Sequence, residues 1–352
     1  MTSRERVLKA LAHEEPDRVP ISDSPWGATV SRWHREGLPE TISAGEYFGY
    51  EFRGFGADCT PRFPTKTLEK NETFIVETTA DGGVRRNFRA HDSTPEVIDY
   101  PVKTKEDWAR IKERLQPDFT RVDWASSLRG FRRAKDEGYF TTFNAAMGYD
   151  HCQSYIRSEQ LLGLMLTDPE WIYDILHTQA TLIIEMAKMM IGKGFDFDGA
   201  FLYDDNGYRN ATLFSPATYR QVVFPVHKML YEFFHEQGMP TILHSCGCVK
   251  EFIPMYLEAG LDCLQPLEVK AGMDLIELKK EFGEDLAFMG GIDVRAMANA
   301  DPSVIEEEVR TKFAAAMPGG GYIYHSDHSV PKNVSFEQYC RTMDLVRKYG
   351  QY

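Results

Sequence analysis

The sequence predicts an α/β fold built on a parallel sheet, with a (β/α) barrel as the first expectation and a doubly wound open sheet as the second. Three observations point there. From about residue 100 onward, apolar strands alternate with helical stretches, the pattern of a sheet covered by helices. The strands are continuous apolar runs rather than polar/apolar alternations, as expected when both faces are buried. The chain has 352 residues; that exceeds the usual ~150-residue domain, yet a single barrel of ~250 to over 400 residues absorbs it whole. No repeat, low-complexity tract or Pro/Ser linker divides the chain, so one domain over 1–352 is expected.

Residues 2–13 read as a helix with Ser3 as N-cap and Val7, Leu8 and Leu11 on one face, although Arg6 stands where a capping box wants an acid or amide. Arg18-Val-Pro-Ile-Ser22 reads as a short buried strand. Residues 72–89 alternate, turn at Asp81-Gly82-Gly83 and return, which is a β-hairpin elaboration near the N-terminus and a candidate homodimer contact. Strands follow at Tyr139–Asn144, Asp198–Tyr203, Thr241–Ser245, Leu261–Leu267, Leu286–Gly290 and Tyr322–His325. Between them lie helices such as Asp168–Ile191, Pro216–Gln237 and Pro302–Ala316, the last opened by Asp301 as N-cap with Pro302 at the first position. With Val19–Ser22 the count is seven strands, one short of a closed eight.

Composition excludes several classes. Forty Lys plus Arg against 53 Asp plus Glu give −13, so no cationic footprint for nucleic acid is present. The N-terminus is charged without an apolar stretch behind it, so no signal peptide is expected. The most apolar stretches, around 161–166 and 183–191, are broken by Asp168, Glu170 and Lys188 and are too short to span a bilayer. Six Cys are too few for a disulfide scaffold, and a cytoplasmic protein is expected. Cys246, Cys248 and Cys263 crowd one region, which points to metal or reactivity, whereas Cys59, Cys152 and Cys340 read as ordinary thiols.

In a parallel α/β fold, chemistry sits where strands end. Five successive strands here end in metal-ligand or acid/base types: Asp204-Asp205, His244-Ser-Cys246, Glu268, Asp293, and His325 with Asp327 and His328. His244 and Cys246 are the sharpest pair, because residues i and i+2 of a strand project to one side and imidazole plus thiolate suit zinc at ~2.0–2.3 Å. His328 is expected as the third ligand, with Glu268 filling or guarding the fourth position. The competing reading makes His244 a hydrogen-bonded core residue and Cys246 a small hydrophobe. Of the adjacent Asp204 and Asp205, only one can point into the cleft, the other capping a helix or facing water. Asp293 is a substrate-binding candidate or a turn residue.

The opening Arg4-Glu-Arg-Val-Leu-Lys-Ala-Leu, with Glu15-Pro-Asp-Arg-Val-Pro, resembles the start of the uroporphyrinogen decarboxylase superfamily, and Gly320-Gly-Tyr-Ile-Tyr-His-Ser-Asp-His-Ser-Val-Pro331 resembles its final strand and loop. The resemblance implies a single (β/α)8 barrel with its cleft at the C-terminal ends of the strands. The Arg-Gln-Ala-Gly-Arg-Tyr segment and Phe-Ser-Asp context of the true decarboxylases are missing. The stretch Ser22-Asp-Ser-Pro-Trp-Gly-Ala-Thr-Val-Ser-Arg-Trp-His stands instead, and Arg32 and Arg35 do not follow that pattern. His244-Ser-Cys-Gly247 is similar to the cobalamin-dependent methyltransferase branch, although His328 stands where that branch has a Cys.

What the resemblance implies is zinc-assisted methyl transfer between a small O- or S-methylated substrate and cobalamin on a separate corrinoid protein, since no Asp-x-His-x-x-Gly loop is present. Zinc would be held by His244, Cys246 and His328, with Glu268 as a displaceable ligand. Asp204 or Asp205 would orient the substrate or a neighbouring imidazole such as His325. The rival readings are a cofactor-free decarboxylase using Asp204 or Asp205 with His328 as acid/base groups, and a non-enzymatic tetrapyrrole or corrinoid carrier.

Overall fold

Beyond residue 100 the helix–strand alternation resolves into one curled parallel sheet in the computed structural model, which describes residues 1–89 and 95–352. The strands are β1 (Phe52–Phe55), β2 (Thr67–Lys70), β3 (Phe74–Thr78), β4 (Val84–Phe88), β5 (Glu96–Asp99), β6 (Phe140–Ala146), β7 (Gly199–Tyr203), β8 (Thr241–His244), β9 (Cys263–Gln265), β10 (Ala287–Met289) and β11 (Tyr322–Ile323). The parallel sheet runs β1-β6-β7-β8-β9-β10-β11, and β2 to β5 form a separate antiparallel sheet. Between the two outer strands lies Val19–Ser22. Tyr324 N–H donates to Pro20 O at 2.9 Å, Ser22 N–H to Tyr324 O at 3.1 Å and Glu51 N–H to Ile21 O at 2.8 Å.

Several expected elements shift for identifiable reasons. Thr2, not Ser3, caps the first helix (Ser3–Leu11), because moving the cap back by one puts Glu5 at the third position and completes the reciprocal capping box. The strand β1, Phe-Arg-Gly-Phe, was not anticipated, since its four residues carry a charge and a glycine; it pairs in parallel with β6. The expected hairpin is β3 and β4, in register from Phe74–Phe88 to Thr78–Val84, but β2 and β5 widen it to four strands. Pro302–Ala316 forms as expected with Asp301 capping Ser303 N–H. The stretch from Pro216 is interrupted by a π-helical turn at Tyr219–Val223 before the helix Phe224–Glu236. The tip of the antiparallel sheet bears on the main body: burial pushes the Asp81 carboxyl up and the His151 imidazole down, each partly offset by the other.

The alternation of side chains divides the sheet interior into two levels. Phe140, Phe201, Ile242, Cys263, Ala287, Met289 and Ile323 form one buried cluster with Val7, Ala10 and Leu11 of the first helix, which plugs the N-terminal end. Two residues further along the same strands stand Tyr203, His244, Gln265 and His325, so the C-terminal end is polar. Residues of the opposite parity, such as Leu202, Leu243 and Leu264, pack with the helices in a second, larger cluster.

Candidate functional site

Register fixes the site. Tyr203 pairs with His244 and His244 with Gln265, so β7, β8 and β9 end at one level. Asp205 lies two residues beyond Tyr203 and Cys246 two beyond His244, and alternation carries each to the inner side. His244 Nε2 stands 3.3 Å from Cys246 Sγ and 3.5 Å from Asp205 Oδ1. Among the described residues, Asp205, His244 and Cys246 are the group whose donor atoms all lie within 4.8 Å of one another.

The loop is built to keep them there. Asp205 Oδ1 accepts the Cys246 N–H at 2.7 Å and Glu268 Oε2 accepts the Gly247 N–H at 2.7 Å. Gly247 has φ +80, and a Cβ there would stand 2.4 Å from the backbone of Gly207, so only glycine lets the two loops pass. Burial pushes the Cys246 thiol well up, with Asp205 and Glu268 adding to it. Burial also holds His244 down, so its imidazole is neutral, and His325 and His328 lie close enough to contribute. A neutral imidazole and a thiol made acidic only by a nearby cation are the ingredients of a metal site.

A divalent cation fits this donor set. Bond lengths of ~2.0–2.3 Å at a tetrahedral angle separate neighbouring ligand atoms by roughly 3.4–3.6 Å, close to the 3.3 Å and 3.5 Å observed. Nitrogen, sulfur and oxygen in one set favour zinc over magnesium or calcium. Beside the cluster lies a cavity of about 670 Å³ whose lining includes Cys246, Gly247, Glu268, Tyr208, Lys270 and Arg295.

The other expected residues have separate places. Asp204 points to the opposite side of the chain, is fully buried, and its carboxylate meets His227 Nε2 at 2.7 Å and the Asp150 N–H at 2.7 Å. Glu268 lies outside the three-donor group, held by Gly247 N–H and by Lys270 at 2.9 Å. Asp293 caps the short helix Val294–Met297 and pairs with Arg295 at 2.7 Å, so it reaches the cavity through that guanidinium. His325 is buried, with Nδ1 2.7 Å from Ser326 O and Nε2 3.2 Å from Ser24 Oγ. His328 stacks on Trp26 with ring centroids 6.4 Å apart and is not part of the three-donor group.

Two buried groups, Gln265 and Asp23, and the half-buried Asp150 escaped the sequence reading. Gln265 Oε1 lies 2.5 Å from His244 Nδ1; carrying strand parity from Cys263 inward by two would have found it. Asp23 accepts from Tyr339 Oη at 2.7 Å and Tyr324 Oη at 3.2 Å, partners supplied by distant segments and invisible locally. Asp150 follows β6 as the other candidates follow their strands, and burial, then Asp205 and Asp204, push its carboxyl up to about 7.

The shift of Asp150 sets a pH dependence. Its pKa is raised above the ordinary 3.8, so the metal-free folded chain holds this proton more tightly than the unfolded chain. The contribution is complete below about pH 4 and is lost as pH rises to about 7. Asp327, pushed up to about 6 by burial, acts with the same sign over a narrower window. Asp150→Asn is therefore expected to match the parent near pH 4 and exceed it at pH 8 by an amount on the order of a few kcal/mol, at ~1.4 kcal/mol per pH unit. Urea unfolding of both proteins at the two pH values reads this directly; equal stabilities at pH 8 would contradict it.

Comparison with known proteins places these features in context. Residues 80–349 match the uroporphyrinogen decarboxylase family. A methylated-thiol–coenzyme M methyltransferase of Methanosarcina mazei is 26% identical over 199 residues, covering 52% of this chain and 50% of that protein. A uroporphyrinogen decarboxylase of Streptomyces coelicolor is 24% identical over 262 residues, 71% of this chain and 68% of that one. The match thus spans about half the length of the first relative and about two thirds of the second. A solved methyltransferase structure from Methanosarcina mazei shares the fold, with TM-score 0.69 over 99% of both chains at 14% identity.

Proposed function

The chain belongs to the uroporphyrinogen decarboxylase family, and on that premise we propose that it is a zinc-dependent methyltransferase moving a methyl group between a small O- or S-methylated molecule and a corrinoid carried on a separate protein. The observation that carries this is the convergence of Asp205, His244 and Cys246 on one point beside an open cavity. The kinship with a methylated-thiol–coenzyme M methyltransferase supports it. The fold in this proposal is one (β/α)8 barrel over 1–352, with Val19–Ser22 as the stave between β11 and β1, where it already hydrogen-bonds Tyr324 and Glu51. A cytoplasmic location accords with six free cysteines, and no helix among the described residues is long and apolar enough to cross a membrane.

Bound zinc would supply a Lewis acid that takes up the charge left on oxygen or sulfur as its bond to carbon breaks. The chain's own part is to hold and orient. His244 and Cys246 are assigned as ligands, with Asp205 as third. Glu268 anchors the Cys246–Gly247 turn and guards the remaining position; His328, stacked on Trp26, is assigned to the substrate side, whereas His325, first expected to bind substrate, is buried behind Gln265. Asp293 steadies Arg295 at the cavity wall. Asp204 contributes through the helix it pins and not by contact with substrate.

Two observations favour this over porphyrinogen decarboxylation. In the segment from Ser22, where the decarboxylases carry tandem arginines, Arg32 is tied to Glu36 at 2.6 Å and to Lys332 O at 2.7 Å. Asp204, one of the carboxylates a lyase would use as acid or base, is buried against His227. The test is zinc-dependent loss of methylcobalamin absorbance in the presence of thiols or phenols. Turnover is expected with zinc-loaded protein and not after chelation or in Cys246→Ser. A zinc-loaded chain inert toward methylcobalamin across a panel of such acceptors would overturn the proposal.

A further inference from the structure

The strongest feature that the proposed function leaves unused is a line of buried polar groups running inward from the metal ligand His244. His244 Nδ1 meets Gln265 Oε1 at 2.5 Å; Gln265 Nε2 lies against the His325 ring, 3.4 Å from Nε2 and 3.5 Å from Nδ1; and His325 Nδ1 lies 2.7 Å from the main-chain oxygen of Ser326. Gln265 and His325 are 3% and 2% exposed, so no solvent competes for these contacts.

We propose that Gln265, oriented by His325, is a positioning residue that fixes the tautomer of His244, so that its Nε2 lone pair rather than an N–H faces Asp205 and Cys246. The tautomer follows from hydrogen-bond chemistry alone; its use in holding a cation rests on the metal reading above.

A main-chain carbonyl only accepts, so the proton of His325 sits on Nδ1. In the neutral ring Nε2 is then an acceptor, met by Ser24 Oγ at 3.2 Å, and the Gln265 amide nitrogen lies against the same ring, 3.4 Å from Nε2 and 3.5 Å from Nδ1. With Nδ1 spent on Ser326 O, the only group this ring offers the amide is the Nε2 acceptor, which a donor NH₂ matches and a carbonyl oxygen does not. With its nitrogen toward His325, its oxygen faces His244, and an oxygen there accepts from Nδ1–H. The proton on Nδ1 leaves Nε2 of His244 bare, and Nε2 is the atom 3.3 Å from Cys246 Sγ and 3.5 Å from Asp205 Oδ1. Turned the other way, the amide would set a donor against His244 Nδ1, move the His244 proton to Nε2 and close the site to a cation. The far anchor is itself held, because Ser326 Oγ donates to Asp23, whose carboxylate also takes Tyr339 Oη at 2.7 Å. Partners of this kind are worth ~10–100-fold in metal affinity.

The test reads the proton itself. Metal-free protein labelled with ¹⁵N-histidine is examined at pH 8 by long-range ¹H–¹⁵N correlation, with the His244 signals assigned from their loss in His244→Gln. Wild type is expected to show His244 protonated on Nδ1 alone. Gln265→Met, close in size but without either polar atom, is expected to mix the two tautomers and weaken zinc ~10–100-fold in a chelator competition. Gln265→Glu keeps an oxygen toward Nδ1 and is expected to restore both the tautomer and the affinity. Should Gln265→Met not fold, His325→Leu removes the group that orients the amide and is expected to give the same mixture. A wild-type His244 protonated on Nε2 would overturn the inference. So would a foldable Gln265→Met or His325→Leu with tautomer and zinc affinity unchanged. If wild type binds no zinc while its tautomer is as stated, the metal reading fails and the positioning role of Gln265 stands.

Discussion

Cys246→Ser is expected to lower zinc affinity by more than ~100-fold, above the loss seen when a partner behind a ligand is removed, while leaving the fold intact. The thiol is the one soft donor in the set, and a serine hydroxyl would have to be deprotonated at far greater cost to replace it. Cys246 sits on a loop just past β8 and is only half-buried, with its backbone N–H already held by Asp205. Exchanging sulfur for oxygen there creates no large hole, so the change in unfolding free energy is expected to stay within about 1 kcal/mol. Competition against a chelator gives the first quantity and urea unfolding the second. A variant that unfolds while its zinc affinity is unchanged would mark Cys246 as a core residue.

Asp204→Ala is expected to do the reverse, costing about 2–5 kcal/mol of stability, since two buried donors lose their acceptor at about 1–3 kcal/mol each. It would leave a His227 imidazole at 0% exposure and the Asp150 N–H without their acceptor. The fit around this carboxylate is close: a Cβ at Gly148, which has φ +60, would stand 2.1 Å from Asp204 Oδ2. Asp205→Ala, one residue along, removes a half-exposed carboxylate and is expected to reduce metal binding with little loss of stability. Adjacent aspartates thus separate into one that holds the protein together and one that serves the site. Parallel urea titrations of the two variants test this; a stability loss larger for Asp205→Ala would invert the assignment.

Much of this was legible because strand parity is local. His244 and Cys246 share a side by spacing alone, and the rule that only one of Asp204 and Asp205 can face the cleft is visible in the sequence; which of the two does is not. That choice depends on the helix Phe224–Glu236 bringing His227 against Asp204, a tertiary contact with no local signature. His328 illustrates the same limit: its distance from the donor group is set by the loop after β11 and the stacking on Trp26, 302 positions away in the chain (328 − 26). The helix capped by Asp301 was readable from a side chain that bonds its own backbone, and the first helix was readable apart from its cap, which is Thr2 and not Ser3, whereas β1 and β2 were not, since short strands acquire their conformation from the partners they pair with.

The proposed centre of the site is the convergence of Asp205, His244 and Cys246 on a single divalent cation. Anomalous diffraction at the zinc absorption edge, from crystals grown with one equivalent of zinc, tests it most directly. The expected result is one strong peak per chain, ~2.0–2.3 Å from His244 Nε2, Cys246 Sγ and an oxygen of Asp205. A map without a peak between these three atoms, or with the zinc held elsewhere in the chain, would contradict it.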